Sequence, residues 1–421
     1  MTTFDATRGD EAHRWPQFLP DGRHFVFMPW KLGSAKRSIQ LGSLDGGATR
    51  TLVDTASAAL VGGTYLLFTR EQPSQLMAQA FNPRTLVLEG RPAPVVADDN
   101  VAYWWASGEP WASSTARTLV YTTGSMRISQ LTWFSRTGRV LGTVGEPDVY
   151  YDPTLAPDGA RLAVEKRDRE RGTTDLWTVA LARGVFSRLT DAPGFEDVAT
   201  WSPDGRRIAF ASDQGSVPSI WAKNANGTGT DERFVEGRAF PMAWSKDGSR
   251  LLYMTDRGAT RTDILVLDTE RHASSPLLAS PSNEECASFS PDGKWIAYTS
   301  DEARDKQVYV RSYPDAATKM QISTGGGIQP QWRGDGRELF YLAPDSTLMG
   351  VEVRPSGAGL SVGVAQPLFL TNIIPEQFLR NGYVASADGQ RFLVVSPQVN
   401  PNSSPLVGVL NWQSALAARS R

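Results

Sequence analysis

Three histidines and one cysteine are the most versatile catalytic side chains in this sequence: His13, His24, His272 and Cys286. A hydrolase of the Ser-His-Asp kind needs a nucleophile, a base and an orienting acid at one point. No serine here reads as the nucleophile of a strand-to-helix elbow. The histidines fall in distant segments, and none stands at ligand spacing from another histidine or a cysteine. Cys286 lies in a strand-like stretch before a turn and reads as an inert, buried thiol. The expectation is therefore a chain that is not an enzyme and holds no metal or cofactor. The many Asp-Gly pairs read as turn formers, because no stretch has the ligand spacing of a calcium loop. A calcium ion in a central channel is not predicted.

The same Asp-Gly pairs show how the chain is organised. Seven of them share one hairpin context, at Asp21, Asp158, Asp204, Asp247, Asp292, Asp335 and Asp388, in stretches such as "WSPDGRRIAFAS" and "FSPDGKWIAYTS". From Asp158 to Asp335 they recur every 43 to 46 residues. Two degraded copies, "LVGGTYLLFTR" and "ASSTARTLVYTT", fill the long first gap. After each hairpin comes another strand-like segment, such as "TDLWTVAL" or "KQVYVRSY", and nine of these can be counted. Proline presets φ, aspartate caps the local backbone and glycine accepts positive φ, so each pair is a tight turn. The exit strand alternates: Ile208 and Phe210 face one way, Arg207 and Ala209 the other.

Four short antiparallel strands per repeat make the blade of a β-propeller, which buries its faces only by stacking on other blades. The fold class is therefore all-β: a single propeller over residues 1–421, with nine repeats counted and a range of seven to nine blades. The repeats run 13–54, 56–97, 103–145, 150–190, 196–236, 239–279, 284–324, 328–371 and 381–415. Residues 1–8, with Thr2–Asp5 as a strand, are expected to complete the last blade and fasten the ring. Only the tail "SALAARSR" reads as helical.

Bulk composition narrows the partners. Lys and Arg number 43 against 45 Asp and Glu, a net charge of −2, so no basic face for nucleic acid is encoded. No run of about 18 apolar residues predicts a membrane span. The N-terminus lacks the basic start and apolar core of a secretion signal, which predicts a soluble chain or a piece of a longer one. A monomer is expected.

The repeats "WSPDGRRIAFAS" and "FSPDGKWIAYTS", with the following "IWAKN" and "VYVRS", resemble the WD40-like repeat of TolB-type propellers. The opening "TTFDATRGDEAHRWPQFLPDGRHFVF" is similar to a segment of the C-terminal propeller of bacterial receptor-type serine/threonine kinases. That resemblance implies a sensor or interaction module, extracytoplasmic if the chain is a receptor fragment and cytoplasmic if it is the whole product. It implies no kinase activity, because the kinase motifs are absent from the sequence. Related blades also cap prolyl-oligopeptidase-type hydrolases, whose triad needs an α/β domain that this chain does not encode.

Propellers work at one face and at the channel mouth. The residues entering the incoming strands differ from repeat to repeat, unlike the hairpins. They single out His13, Arg14, Tyr151, Asp152, Glu196, Asp197, Glu284, Glu285 and Gln329 as candidates for binding a partner or ligand. Trp104 and Trp105, in "VAYWWASGEPW", join them as aromatic anchors. The expected function is noncatalytic recognition of a protein or small ligand. The alternative is a hydrolase or lyase using a polar cluster in the channel.

Overall fold

The computed structural model of the protein describes residues 12–30, 37–55, 57–70, 75–95, 103–104, 109–110, 112–121, 128–168, 173–192, 194–214, 217–256, 262–357, 359–373, 381–398 and 407–419. Nearly all of the regular structure is antiparallel strand, as the alternating patterns predict, with one helix at Trp412–Arg419. The chain divides into two compact units. Unit 1 is Met1–Arg127 with Val399–Arg421, and unit 2 is Ile128–Gln398.

Unit 1 contains sheet A (Ala12–Phe18, His24–Trp30, Arg37–Ser43, Arg50–Thr55) and sheet B (Leu60–Gly62, Tyr65–Arg70, Gln75–Asn82, Val87–Pro94). Sheet C joins Ala112–Ser114 and Thr118–Tyr121 to Val407–Leu410. Trp412, fully buried, packs with Leu67, Leu76 and Leu119 and ties the terminal helix to sheets B and C.

Unit 2 contains six sheets. Sheet D pairs Val140–Asp148, Ser129–Ser135, Arg391–Pro397 and Tyr383–Ala385 in that order. Sheet E is Tyr150–Leu155, Arg161–Arg167, Thr174–Ala180 and Val185–Arg188. Sheet F is Glu196–Trp201, Arg207–Ser212, Ser219–Asn224 and Glu232–Val235. Sheet G is Ala239–Trp244, Arg250–Asp256, Thr262–Asp268 and Ala273–Leu278. Sheet H is Glu284–Phe289, Trp295–Ala303, Asp305–Ser312 and Lys319–Gln321. Sheet I is Ile328–Trp332, Glu338–Leu342, Thr347–Ser356 and Gln366–Leu370, with Gly359–Val362 added to its third strand.

Alternation along each strand feeds two different cores. In sheet F, Ile208 and Phe210 pack on Ala163 and Leu176 of sheet E, while Ala209 packs on Leu251 and Tyr253 of sheet G. The same arrangement joins G to H through Leu252 and Ile296, and H to I through Val308 and Leu339. Phe340 of sheet I meets Phe392 of sheet D, and Leu131 of D meets Leu162 of E. Each of the six sheets thus packs on two others in cyclic order. Burying each such Leu, Ile or Phe contributes about 1.5–3 kcal/mol, so these boundaries carry much of the unit's stability.

Two strands depart from the sequence expectation. The reading puts Ser129–Ser135 in the third repeat and Val407–Leu410 in the ninth. The structure exchanges them: Leu131 lies opposite Val395, and Val409 opposite Leu119. Equivalent strands carry the same alternation, so the pattern alone cannot choose between copies. The core does choose, since Leu131 is fully buried among Val144, Tyr150 and Leu393. The chain therefore leaves unit 1 after Tyr121, builds unit 2, and returns to pair with the strand it left. The fastening strand expected at Thr2–Asp5 lies outside the described residues.

The hairpins behave as their chemistry dictates. Each Asp of the seven Asp-Gly pairs accepts the N–H two residues on, at 2.8–3.1 Å. Their glycines sit at φ between +64° and +76°, where a Cβ would be strained. In four hairpins a serine two residues before the Asp (Ser202, Ser245, Ser290, Ser386) donates to that carboxylate. The same serine oxygens accept the N–H of Arg207, Arg250, Trp295 and Arg391.

Candidate functional site on the inner strands of unit 2

The first strand of each sheet carries the sequence candidates, and a bulge governs how they are presented. Six residues before the hairpin Asp, the backbone turns left-handed at Trp15, Asp152, Val198, Cys286 and Gln329, with φ from 45° to 57°. The ladder register shifts at the same place. Positive φ is costly for residues with a Cβ, above all for a β-branched valine, so the surroundings must hold it. They do so by redirecting backbone N–H groups to the preceding sheet. Val198 N–H donates to Glu165 Oε1 at 2.6 Å, and Gln329 N–H to Thr299 Oγ1 at 3.3 Å. The sequence reading missed this bulge, because it has no residue signature.

Three candidates meet around Cys286. Asp152, buried, accepts both the backbone N–H of Asn381 (2.7 Å) and its side-chain amide (3.0 Å). Gln329, also buried, takes the Gly382 N–H on Oε1 at 2.9 Å, while its carbonyl accepts the Tyr383 hydroxyl at 2.9 Å. Glu285 is held by Lys306 Nζ at 2.6 Å. Cys286 keeps some accessible surface. The protein packed around it, with the nearby charge of Glu285, pushes its thiol up to about 12. At neutral pH it is therefore a thiol and not a nucleophilic thiolate. Tyr151 is half-buried in the same strand as Asp152.

Glu196 and Glu284 occupy equivalent positions at the start of the inner strands of sheets F and H, and both are buried. Ser212 Oγ donates to Glu196 Oε1 at 3.1 Å, and Ser280 Oγ donates to Glu284 Oε1. Burial pushes Glu196 up to about 8, helped by the negative charges of Asp175 and Asp213. Burial likewise raises Glu284, beside Asp263 and Glu302. These two are interior groups at sheet boundaries. Asp197, the neighbour of Glu196, is half-buried.

The remaining candidates lie in unit 1. His13 packs against Phe27, with ring centroids 4.7 Å apart, and the Arg14 guanidinium stacks 3.7 Å over the Trp30 ring. Trp104 pairs with Glu109 in a two-residue strand, and Trp105 lies outside the described residues. His24 bonds Asp21 at 2.6 Å, and His272 faces Phe234 and Glu232. Among the described residues, no group of three or more His, Cys, Asp and Glu is placed to hold a metal ion.

The sequence reading also passed over one Gly-x-Ser-x-Gly match, Gly359-Leu360-Ser361-Val362-Gly363. Ser361 lies within the strand Gly359–Val362, opposite Arg354, and the following described strand is Gln366–Leu370. The strand–turn–helix setting that makes such a serine a nucleophile is therefore missing at this match.

Six sheets in cyclic packing, each entered by an inner strand and turned by an Asp-Gly hairpin, define a β-propeller. Residues 109–260 match the family described as PD40, TolB beta propeller domain. The chain is 29% identical over 169 residues to the "Uncharacterized peptidase YuxL" of Bacillus subtilis, covering 38% of this chain and 24% of that protein. It is 30% identical over 89 residues to the "Tol-Pal system protein TolB" of Anaeromyxobacter dehalogenans, covering 20% of this chain and 19% of that protein. The matches thus span a quarter or less of either relative. A putative TolB from Agrobacterium tumefaciens superposes with a TM-score of 0.51 at 19% identity, over 66% of this chain and all of that one, a likeness of fold.

Proposed function

We propose that the chain is a noncatalytic recognition propeller whose inner strands in unit 2 present a binding surface to a protein partner. The observation behind this reading is the contrast between repeated and unrepeated positions. Hairpin residues recur from sheet to sheet, whereas the residue seven before the hairpin Asp is Tyr151, Asp197, Phe240, Glu285, Ile328 and Asn381 in turn. Rigid strands carrying dissimilar side chains at equivalent places make an asymmetric surface, as selective recognition requires. The groups with nucleophilic or basic potential are engaged elsewhere. The thiol is held protonated, and the histidines face Phe27, Asp21 and Glu232.

The test is capture by the immobilised chain, comparing wild type with the double variant Tyr151→Ala, Asp197→Asn. Loss of one defined partner at an unchanged melting temperature supports the reading. Equal capture by both proteins sinks it. The match to a peptidase favours a second reading, in which this propeller accompanies a hydrolytic part. Peptide hydrolysis by an accompanying part that is lost when this propeller is removed would establish that reading instead.

A further inference from the structure

Two buried carboxylates at the boundary between sheets E and F each leave one oxygen without a hydrogen-bond partner: Asp175 Oδ1 and Glu196 Oε2. Both side chains are almost fully inaccessible. They are neighbours, because an isolated parallel bridge joins Thr174 to Phe195, the residues just before them. Their other oxygens are spoken for. Arg188 donates to Asp175 Oδ2 at 2.7 Å, and Ser212 holds Glu196 Oε1. Two buried carboxylates on neighbouring strands repel when both are ionised. One proton removes the conflict. Asp175 already pairs with the Arg188 guanidinium, so the proton belongs on Glu196.

We propose that Glu196 carries a proton which it donates through Oε2 to Asp175 Oδ1, and that this carboxyl–carboxylate bond is a pH-sensitive latch between sheets E and F. Loss of the proton to water leaves two facing anions, and the boundary is pushed apart. The other charged groups around it are accounted for. From sheet E come Arg188, with Asp168 and Asp191 nearby, and Glu165, whose Oε1 takes the Val198 N–H. Arg167 lies opposite Thr174 and Lys166 opposite Asp175 in the same sheet, with Lys166 Nζ 3.0 Å from Asp148. From sheet F comes Asp213, whose Oδ1 takes the Phe195 N–H at 3.2 Å. The negative charges of Asp175 and Asp213 act on Glu196 in the direction of the protonated form.

The arrangement is repeated two sheets on. Glu284 Oε2 is also buried without a hydrogen-bond partner, its other oxygen also meets a serine hydroxyl, and an aspartate of the preceding sheet, Asp263, is again close. A feature that recurs at equivalent positions is built by the repeat and is not an accident of one boundary.

The experiment is the melting temperature of the full chain between about pH 6 and about pH 9, for wild type and Glu196→Gln. The amide of Glu196→Gln can donate to Asp175 as the protonated acid does, so the variant should fold. The wild type is expected to lose several degrees across this range, and Glu196→Gln to stay level there. Parallel slopes in the two proteins would overturn the latch. So would stabilisation of the wild type, but not the variant, by added calcium, since a cation would then be the occupant. Difference infrared spectroscopy of the wild type gives a readout independent of variant folding. A protonated-carboxyl band near neutral pH that titrates away in base is expected, and its absence would refute the proposal.

Discussion

Glu196 and Glu285 enter the inner strands of their sheets one position apart in the repeat, and both are buried. Unit 2 handles them differently. Glu285 is neutralised by an opposite charge, the Lys306 ammonium 2.6 Å away. Glu196 meets the Ser212 and Thr190 hydroxyls and two further carboxylates, and in our proposal is neutralised by a proton. Glu338 shows a third solution, with Arg136 and Arg333 both donating to it. The difference teaches that a repeated backbone does not dictate one electrostatic solution. The lysine is a fixed part of the chain, whereas a proton is exchangeable. The same architecture can therefore be firm at one boundary and responsive at another.

The comparison breaks most visibly at the lysine. Lys306→Met leaves Glu285 buried without this cation, and removing one partner of such a pair costs about 3 kcal/mol. Urea unfolding at neutral pH should show this as a lower midpoint. Adding Glu285→Gln to the same chain should recover much of the loss, because the stranded charge is gone. If the double variant is no more stable than Lys306→Met, the pair is not what holds this position.

A second prediction sharpens the contrast through its sign. Glu196 has its folded value raised to about 8 from an ordinary 4.5. Its contribution is complete below the ordinary value and is lost as pH rises through about 8. The hairpin aspartates run the other way. Asp247 is held down at about 2, first by the Ser245 hydroxyl, and Asp335 also at about 2, first by Arg333. Their contribution is complete above the ordinary 3.8 and is lost as pH falls toward 2. Stability should therefore decline at both ends of the pH range. Asp247→Asn with Asp335→Asn should flatten only the acid side, and Glu196→Gln only the alkaline side, in melting curves taken across the range.

Much of this frame was legible in the sequence. Asp-Gly spacing located the hairpins, and alternation in stretches such as Arg207–Ser212 identified strands with two buried faces. The exchange of Ser129–Ser135 with Val407–Leu410 was not legible, because equivalent strands carry equivalent patterns and only packing selects the copy. The site was legible in part. Non-repetition drew attention to Asp152, Glu196, Glu285 and Gln329. Their partners Lys306, Asn381, Asp175 and Arg188 come from other strands or other sheets, and no local pattern links them. The bulge at Val198 was hidden for a related reason. What holds its left-handed backbone is Glu165 of the preceding sheet, not anything in its own stretch.

A third prediction concerns the serine of the hairpin. Ser202 donates to Asp204 at 2.6 Å and accepts the Arg207 N–H at 2.9 Å, whereas the hairpin of sheet E has Ala156 in that place. Ser202→Ala should therefore cost about 1–2 kcal/mol in urea unfolding and still leave a folded hairpin. A larger loss, or loss of folding, would mean that the serine is required and not supplementary.

The smallest expected effect comes from two tryptophans at equivalent places. Trp201, three residues before its hairpin Asp, donates its indole N–H to the Thr154 carbonyl of the preceding sheet at 3.1 Å. Trp332 does the same to Ser288 at 3.3 Å. Trp244 occupies the same position, but its indole N–H is buried without a hydrogen-bond partner. A made bond contributes about 1 kcal/mol, whereas an unmade buried donor already carries its desolvation cost. Trp201→Phe should then be the more costly change by about 1 kcal/mol, and Trp244→Phe nearly neutral, since phenylalanine keeps the contact with Phe234 and discards an unsatisfied group. Equal losses in paired urea titrations would mean that ring volume, not the cross-sheet bond, is what this repeated aromatic supplies.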